Sequence, residues 1–302
     1  MSLVINHNMM AANTARNLNA HYNRLATSTE RLSTGLRVNS AADDAAGLAI
    51  RELQRADIAT LHQGARNAND AISLIQTADG ALGVVDEKLT RMKELAEQAA
   101  TGTYDSTQRL MIESEYQAMA SEITRIANAT DFNGIKLLDG NLSSSVHDGS
   151  GMTSTGKLKI HFGTGNDSAE DYYYITIGNC TASALGVGNQ AIDAATGKLR
   201  NGGTISTQEA AQKTLVALTD AIVSKDKIRA HLGAMQNRLE NTITNLNTQA
   251  ENLQAAESRI SDVDVATEMT QFVRNQILSQ GAVAMLSQAN SLPKMAMQLI
   301  GG

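Results

Sequence analysis

Several residue types are nearly missing from this 302-residue chain: it has one cysteine, one proline and no tryptophan, and aromatics make up only 3% of it. The lone Cys180 closes no internal disulfide, so no covalent framework holds the fold. Compact cores usually draw much of their buried area from aromatics. Here burial falls to Leu, Ile, Val, Met and Ala, which suits long helices meeting along narrow seams. The single proline, Pro293, leaves the rest of the chain free of helix breaks of that kind. No window reaches about 18 apolar residues, so nothing reads as a membrane span. The opening MSLVINHNMM has no basic region followed by an apolar run, and no cleavable secretory signal is read there. A net charge of −6 argues against a nucleic-acid binder, which needs a basic face. The charge is uneven. Residues 1–40 carry four Arg against one Glu, while 262–302 carry Asp262, Asp264 and Glu268 against Arg274 and Lys294.

What is present is a heptad-like stripe. Leu61, Ala65, Ala68, Ile72 and Ile75, then Leu82, Val85, Leu89, Met92, Ala96 and Ala99, keep a 4–3 spacing across 58–99, with Asp79 falling in the seam. A stripe of period 3.5 on a helix of 3.6 residues per turn is buried only against another helix running nearly parallel to it. Its natural partner is the stripe Ile228, Leu232, Met235, Leu239, Ile243, Leu246, Ala250, Leu253, Ala256 and Ile260. A shorter helix over about 105–129 presents Ile112, Tyr116, Met119, Ile123 and Ile126. Ser40 with Asp43, and Ser206 with Glu209, read as capping boxes, and Gly102 as a left-handed helix stop.

The terminal segments carry stripes of their own. Leu18, Tyr22, Leu25, Thr29, Leu32 and Leu36 mark the first, and Leu278, Ala282, Met285, Ala289, Leu292, Ala296 and Leu299 the last, with Pro293 expected to kink it. Val4, Ile5, Met9, Met10, Met269, Phe272, Val273 and Ile277 add apolar surface on other sides. Two isolated helices cannot hide that much. Either these ends are disordered alone, or other copies bury them. Between the helices, Asn133-Gly134 signals a hairpin turn. About half the glycines fall between Gly140 and Gly203. Lys157–Gly163 and Asp171–Gly178 alternate as two short strands, too small to enclose a core alone.

Motifs for chemistry are weak. Gly151–Lys157 (GMTSTGK) matches the start of a phosphate-binding loop, but Leu158 stands where a Ser or Thr must hold magnesium, and a strand pattern follows where a helix is required. The six histidines are scattered, Cys180 has no sequence partner, and Asp43 and Asp44, being adjacent on a helix, point apart. Sequons at Asn128, Asn141, Asn166 and Asn179 lack a secretory signal, and the methionines near the end read as packing. No catalytic, cofactor-binding or metal residues are assigned.

Several stretches resemble bacterial flagellin: Glu30–Ile50 (ERLSTGLRVNSAADDAAGLAI), Arg66–Leu82 (RNANDAISLIQTADGAL), Phe132–Leu138 (FNGIKLL), Leu232–Asp264 (LGAMQNRLENTITNLNTQAENLQAAESRISDVD) and Gln276–Lys294 (QILSQGAVAMLSQANSLPK). The likeness covers about 1–140 and 206–302; 143–205 matches only loosely, as the family's hairpin, and the outer variable domains are missing, giving a short form. It implies a structural, non-enzymatic subunit of the flagellar filament, exported unfolded by the type III apparatus to the cell exterior and self-assembling for motility. Implied partners are other copies of itself, an export chaperone on the C-terminal helix (263–302), and filament cap and junction proteins. Leu89–Gln98 (LTRMKELAEQ) is similar to the family's motif for Toll-like receptor 5, with Arg91, Leu95 and Glu115 at the recognised positions.

These readings predict a mainly α fold. It is a long antiparallel helical coiled-coil bundle with a small β-hairpin region, a folded-over rod with both termini at one end. Residues 1–42 and 263–302 are read as a terminal coiled-coil assembly domain, and 43–262 as a helical rod domain with hairpin and loops at about 131–205. The self-assembly seam is read as Leu18, Leu25, Leu32, Leu278, Met285, Leu292 and Leu299. The alternatives are a hook–filament junction protein and a nucleotide-binding enzyme using Gly151–Lys157.

Overall fold

The computed structural model describes residues 7–144, 146–148, 155–168, 170–189 and 202–300. Val4, Ile5 and most of the Gly151–Lys157 motif lie outside the described residues. The chain forms two compact units. One comprises Met1–Ile58 with Glu251–Gly302, the other Ala59–Ala250. Long helices dominate: α1 (Met9–Thr34), α2 (Ala45–Ala100), α3 (Ser106–Ala129), the one-turn α4 (Ala182–Leu185), α5 (Gln208–Ser261) and α6 (Val265–Ile300). Three antiparallel strand pairs sit between α3 and α5.

The second unit is built on the α2 stripe. Leu61, Ala65, Ala68, Ile75, Leu82, Val85, Leu89, Met92, Ala96 and Ala99 are all buried. Where the repeat slips, Ala78 fills the seam and Asp79 turns aside, contrary to the expectation that Asp79 sits in it. A carboxylate in an apolar seam is costly unless paired. Half-exposed, Asp79 instead accepts two bonds from Arg229 of α5, at 2.7 and 3.1 Å. One core joins Ile75 and Leu82 of α2 to Leu232 and Leu239 of α5; a second joins Leu89 and Met92 to Tyr116 and Ile123 of α3 and Leu218 of α5.

The strand pairs are β1 (Asp131–Phe132) with β2 (Ile135–Lys136), β3 (His147–Asp148) with β4 (Thr155–Gly156), and β5 (Leu158–His161) with β6 (Tyr172–Ile175). Asn133 and Gly134 take φ of 51° and 81°, the two left-handed positions that a type I′ hairpin turn requires. In the β5–β6 pair Leu158 faces Ile175 and Ile160 faces Tyr173. The hairpin has no core of its own; Ile175 and Ile177 complete the one shared by α2 and α5.

Three end signals fall on other residues than the sequence suggests. α2 is capped by Asp44, whose carboxylate accepts from the Gly47 amide; the Asp43 carboxylate instead accepts from Ser40 and Asn39 in the preceding turn. α5 is capped by Thr207, whose hydroxyl accepts from Ala210, while Ser206 bonds Thr204. Gly102 does not adopt a left-handed conformation. Arg109 of α3 donates to the carbonyls of Ala99 and Thr101, at 3.1 and 2.9 Å, and so meets acceptors at the α2 terminus of the kind that amides after a left-handed glycine would otherwise satisfy.

Candidate assembly surface

In the first unit α1 and α6 run antiparallel: Arg31 lies 3.8 Å from Glu268, and the Asn8 side chain meets Ala289. The two ends of this pair are fixed in different ways. At one, the Arg37 amide and guanidinium donate to the carbonyls of Ser261 and Ile260, both at 2.6 Å, and the Val263 amide donates to Gly35. Gly35 makes this possible by closing α1 at φ 75°, a conformation open to glycine. Asp264 then caps α6 by accepting from the amides of Ala266 and Thr267 and from the Thr267 hydroxyl, and these bonds, the hydroxyl first, hold its carboxyl below the usual range.

At the other end the single proline has a direct structural consequence. α6 continues through Pro293. Having no N–H, Pro293 leaves the carbonyl four residues back, that of Ala289, without its helical donor. The Asn8 Nδ2 donates to that carbonyl at 2.9 Å, while Asn8 Oδ1 caps α1 at the Ala11 amide. The proline thus creates an acceptor, and the cap of α1 takes it.

The fully buried positions between the two helices are small or polar. Ser28 on α1, and Asn275, Ser279 and Ala289 on α6, are buried, each under 8% exposed. Leu18, His21, Leu25 and Leu32 on α1, and Glu268, Phe272, Ala282 and Leu286 on α6, are half-buried. This inner line keeps 4–3 spacing; on α1 it runs through Leu18, Leu25 and Leu32 of the predicted stripe, and on α6 it shares only Ala282 and Ala289 with the predicted one. Of the residues read as the seam, Leu18, Leu25 and Leu32 lie on this inner side. Leu278 and Met285 are exposed, at 40% and 59%. The side chains of Leu292 and Leu299 lie outside the described residues.

The asymmetry between the units is large. Among the described residues only two buried hydrophobics, Val38 and Ala289, belong to the first unit; the rest lie in the second. Conversely, thirteen of the nineteen exposed large hydrophobics belong to the first unit, and eleven of these are on α1 and α6, including Met9, Tyr22, Val265, Met269, Val273 and Ile277. A face of this kind on a water-exposed helix is an association surface.

The other predicted site lies in the second unit. Arg91 on α2 bonds Glu115 on α3 at 2.8 and 3.0 Å and Glu94 at 3.0 Å, all three exposed, and these carboxylates raise the guanidinium's pKa. Leu95 is buried beneath, at 1%. Among the described residues no group of His, Cys, Asp and Glu is arranged to hold a metal, and no helix is long and apolar enough to cross a membrane.

Comparison with known proteins supplies the family. The family model described as the bacterial flagellin N-terminal helical region matches residues 5–143, and that described as the bacterial flagellin C-terminal helical region matches 215–300. A flagellin from Halalkalibacterium halodurans is 41% identical, over 99% of this chain and 100% of its own. Flagellin FlaB2 from Treponema pallidum is 40% identical over the same shares. A solved flagellar hook-associated protein from Vibrio parahaemolyticus shares the fold, with a TM-score of 0.54 at 15% identity over 73% of this chain and 100% of that one.

Proposed function

The chain belongs to the bacterial flagellin family, as a short form of about 300 residues and a structural subunit of the flagellar filament, and from this we propose that its subunits are joined by the outward apolar faces of α1 and α6. The observation that carries the proposal is the apolar area left outside: eleven exposed large hydrophobics on α1 and α6, while among the described residues the fully buried positions between the helices are only Ser28, Asn275, Ser279 and Ala289. Burying a Val, Leu, Ile or Met side chain contributes about 1.5–3 kcal/mol. The outward side chains are already partly covered, so about 1 kcal/mol each is the appropriate figure, on the order of 10 kcal/mol per subunit. That is comparable with the roughly 4–15 kcal/mol that association costs in lost freedom. Assembly is therefore balanced on these faces, and cooperative.

On this reading residues 1–42 and 263–302 form the assembly domain and 43–262 the remainder. Five of the seven seam residues act in two groups, Leu18, Leu25 and Leu32 closing α1 on α6 and Leu278 and Met285 meeting neighbouring copies. Before assembly the apolar face over 263–302 requires a cover, the role of an export chaperone, with type III export carrying the subunit out of the cell and cap and junction proteins closing the filament ends. Recognition by Toll-like receptor 5 would use the exposed Arg91–Glu115 pair, with Leu95 supporting it from below. A filament role is favoured over a hook–filament junction role by full-length identity near 40% to flagellins, against 15% to the hook-associated protein. Nothing favours a nucleotide site: Leu158 opens strand β5, and the Lys157 ammonium sits over the Tyr174 ring.

Truncation tests the proposal. Chains lacking 1–39 or 263–302 should stay folded and soluble by circular dichroism and sedimentation, and form no filaments under precipitating salt in electron micrographs. Filaments from either truncate would overturn it.

A further inference from the structure

Methionine is distributed unevenly between the two units. The chain has twelve methionines. Among the described residues six are exposed, and five of these, Met9, Met10, Met269, Met285 and Met295, stand on α1 and α6 at 44–65% exposure. They make up five of the eleven large apolar side chains exposed on those two helices, against one of eight, Met111, elsewhere. In the second unit methionine also serves inside, where Met92 and Met235 are buried in the core. An unbranched, polarisable thioether packs against partners of varied shape, which suits a surface that meets several copies. The same thioether is the group on that surface that a two-electron oxidant turns from apolar to polar. It has no proton to lose, so exposure sets which sulfurs react. Cys180, the other oxidisable sulfur, is buried.

We propose that these five thioethers form an oxidation site that governs assembly: a hydroperoxide acting on the free subunit converts them to sulfoxides and keeps that subunit out of the filament. The proposal rests on the reading that copies join through the outward faces of α1 and α6. The step is an oxygen transfer. The Sδ lone pair attacks one peroxide oxygen, and the S–O bond forms as the O–O bond breaks. The departing hydroxide takes the proton of the transferred oxygen and leaves as water. Sulfur loses two electrons and the peroxide gains them. The sulfoxide oxygen is a strong acceptor, and seating it in an apolar contact without a donor is unfavourable. Assembly covers the five sulfurs, so the free subunit is sensitive and the filament protected.

The test treats full-length monomer with hydrogen peroxide, maps sulfoxides by mass spectrometry of its peptides and measures the critical concentration for assembly. Sulfoxide should form at the five sites and at Met111, and not at Met92. The critical concentration should rise roughly hundredfold or more, with helicity and melting of the monomer unchanged. Methionine sulfoxide reductases A and B with dithiothreitol should bring it back. A variant carrying Met9→Leu, Met10→Leu, Met269→Leu, Met285→Leu and Met295→Leu should assemble as the parent does, before and after peroxide. Met111→Leu should remain as sensitive as the parent. Assembly of the oxidised parent at the untreated concentration, a five-leucine variant that peroxide still blocks, or a block that the reductases do not lift would overturn the proposal. If the five-leucine variant does not assemble at all, the reductase result decides alone. The interface is tested without touching any methionine by Val273→Ser with Ile277→Ser. Parent-like assembly of that variant would remove the reading on which the proposal rests, whatever peroxide does.

Discussion

Gly64→Ala is the substitution whose effect the structure specifies most sharply. Gly64 lies on α2, where the β5–β6 hairpin crosses. A Cβ added there falls 2.7 Å from the Phe162 carbonyl carbon and closer still to its oxygen, and both belong to backbone that cannot rotate away. Comfortable separation is about 3.5 Å or more, so the hairpin must retreat by about an ångström. That retreat strains the bond from Asn67 Nδ2 to the His161 carbonyl, now 2.9 Å, and the tilted contact of Phe162 with Tyr173 at 4.6 Å. Alanine is worth about 1 kcal/mol more than glycine inside a helix. Overpacking costs about 1–3 kcal/mol and a weakened hydrogen bond about 1 more. The net is a loss of about 1–3 kcal/mol, or roughly 3–10 °C in Tm for a unit of this size. Gly80→Ala supplies the contrast, because a Cβ there meets nothing within 4 Å on the same helix. It should raise Tm by up to about 3 °C. Thermal unfolding followed at 222 nm compares the two. Gly64→Ala melting at or above the parent, as Gly80→Ala does, would refute the close approach of hairpin to helix.

Other outcomes follow from single groups. The Lys225 side chain is only 2% exposed and bonds Asp86 at 2.5 Å and Asp226 at 2.7 Å. Burial pushes its pKa down, but the two carboxylates outweigh that and the net shift is upward from 10.5. Its stabilisation is complete below pH 10.5 and is lost as pH rises through the higher folded value. Lys225→Met should therefore flatten the alkaline limb of stability against pH, measured by urea unfolding, and cost about 1–2 kcal/mol at neutral pH. Burial pushes the Cys180 thiol up to about 11, opposed by Lys225 nearby. A thiol reagent at pH 8 should label it no faster than the chain unfolds, as followed by mass spectrometry. Pro293→Ala restores the N–H that competes with Asn8 for the Ala289 carbonyl, so hydrogen exchange at the start of α1 should accelerate while α6 becomes more protected.

The α2 stripe was legible because burial there largely follows hydrophobicity: every residue predicted in it is buried except Ile72, which is half-buried beside the buried Ala71 and Leu74. The Asn133-Gly134 turn and the β5–β6 alternation were legible for a similar reason, since each is a local rule with few competitors. The inner face of α1 was legible through Leu18, Leu25 and Leu32, but that of α6 only in part: the predicted stripe holds Ala282 and Ala289, which are turned toward α1, together with Leu278 and Met285, which are exposed, and it passes over the buried polar Asn275 and Ser279. Helix ends failed by one position at α5 and four at α2, where a nearby residue could do the same work, as Thr207 does for Ser206 and Asp44 for Ser40. The stop of α2 was beyond local reading, because Arg109 reaches it from another helix. The two-residue strands β3 and β4 and the single turn α4 carry no period long enough to detect.

The central claim is that subunits meet through apolar faces pointing away from the α1–α6 contact. The most direct measurement is the critical concentration for filament assembly of full-length protein carrying Val273→Ser, Ile277→Ser and Met285→Ser together. About 1 kcal/mol lost at each site predicts a rise of roughly hundredfold, with the helicity and melting of the monomer unchanged. Assembly at the parent's concentration, or a monomer whose α1–α6 pair comes apart, would contradict it.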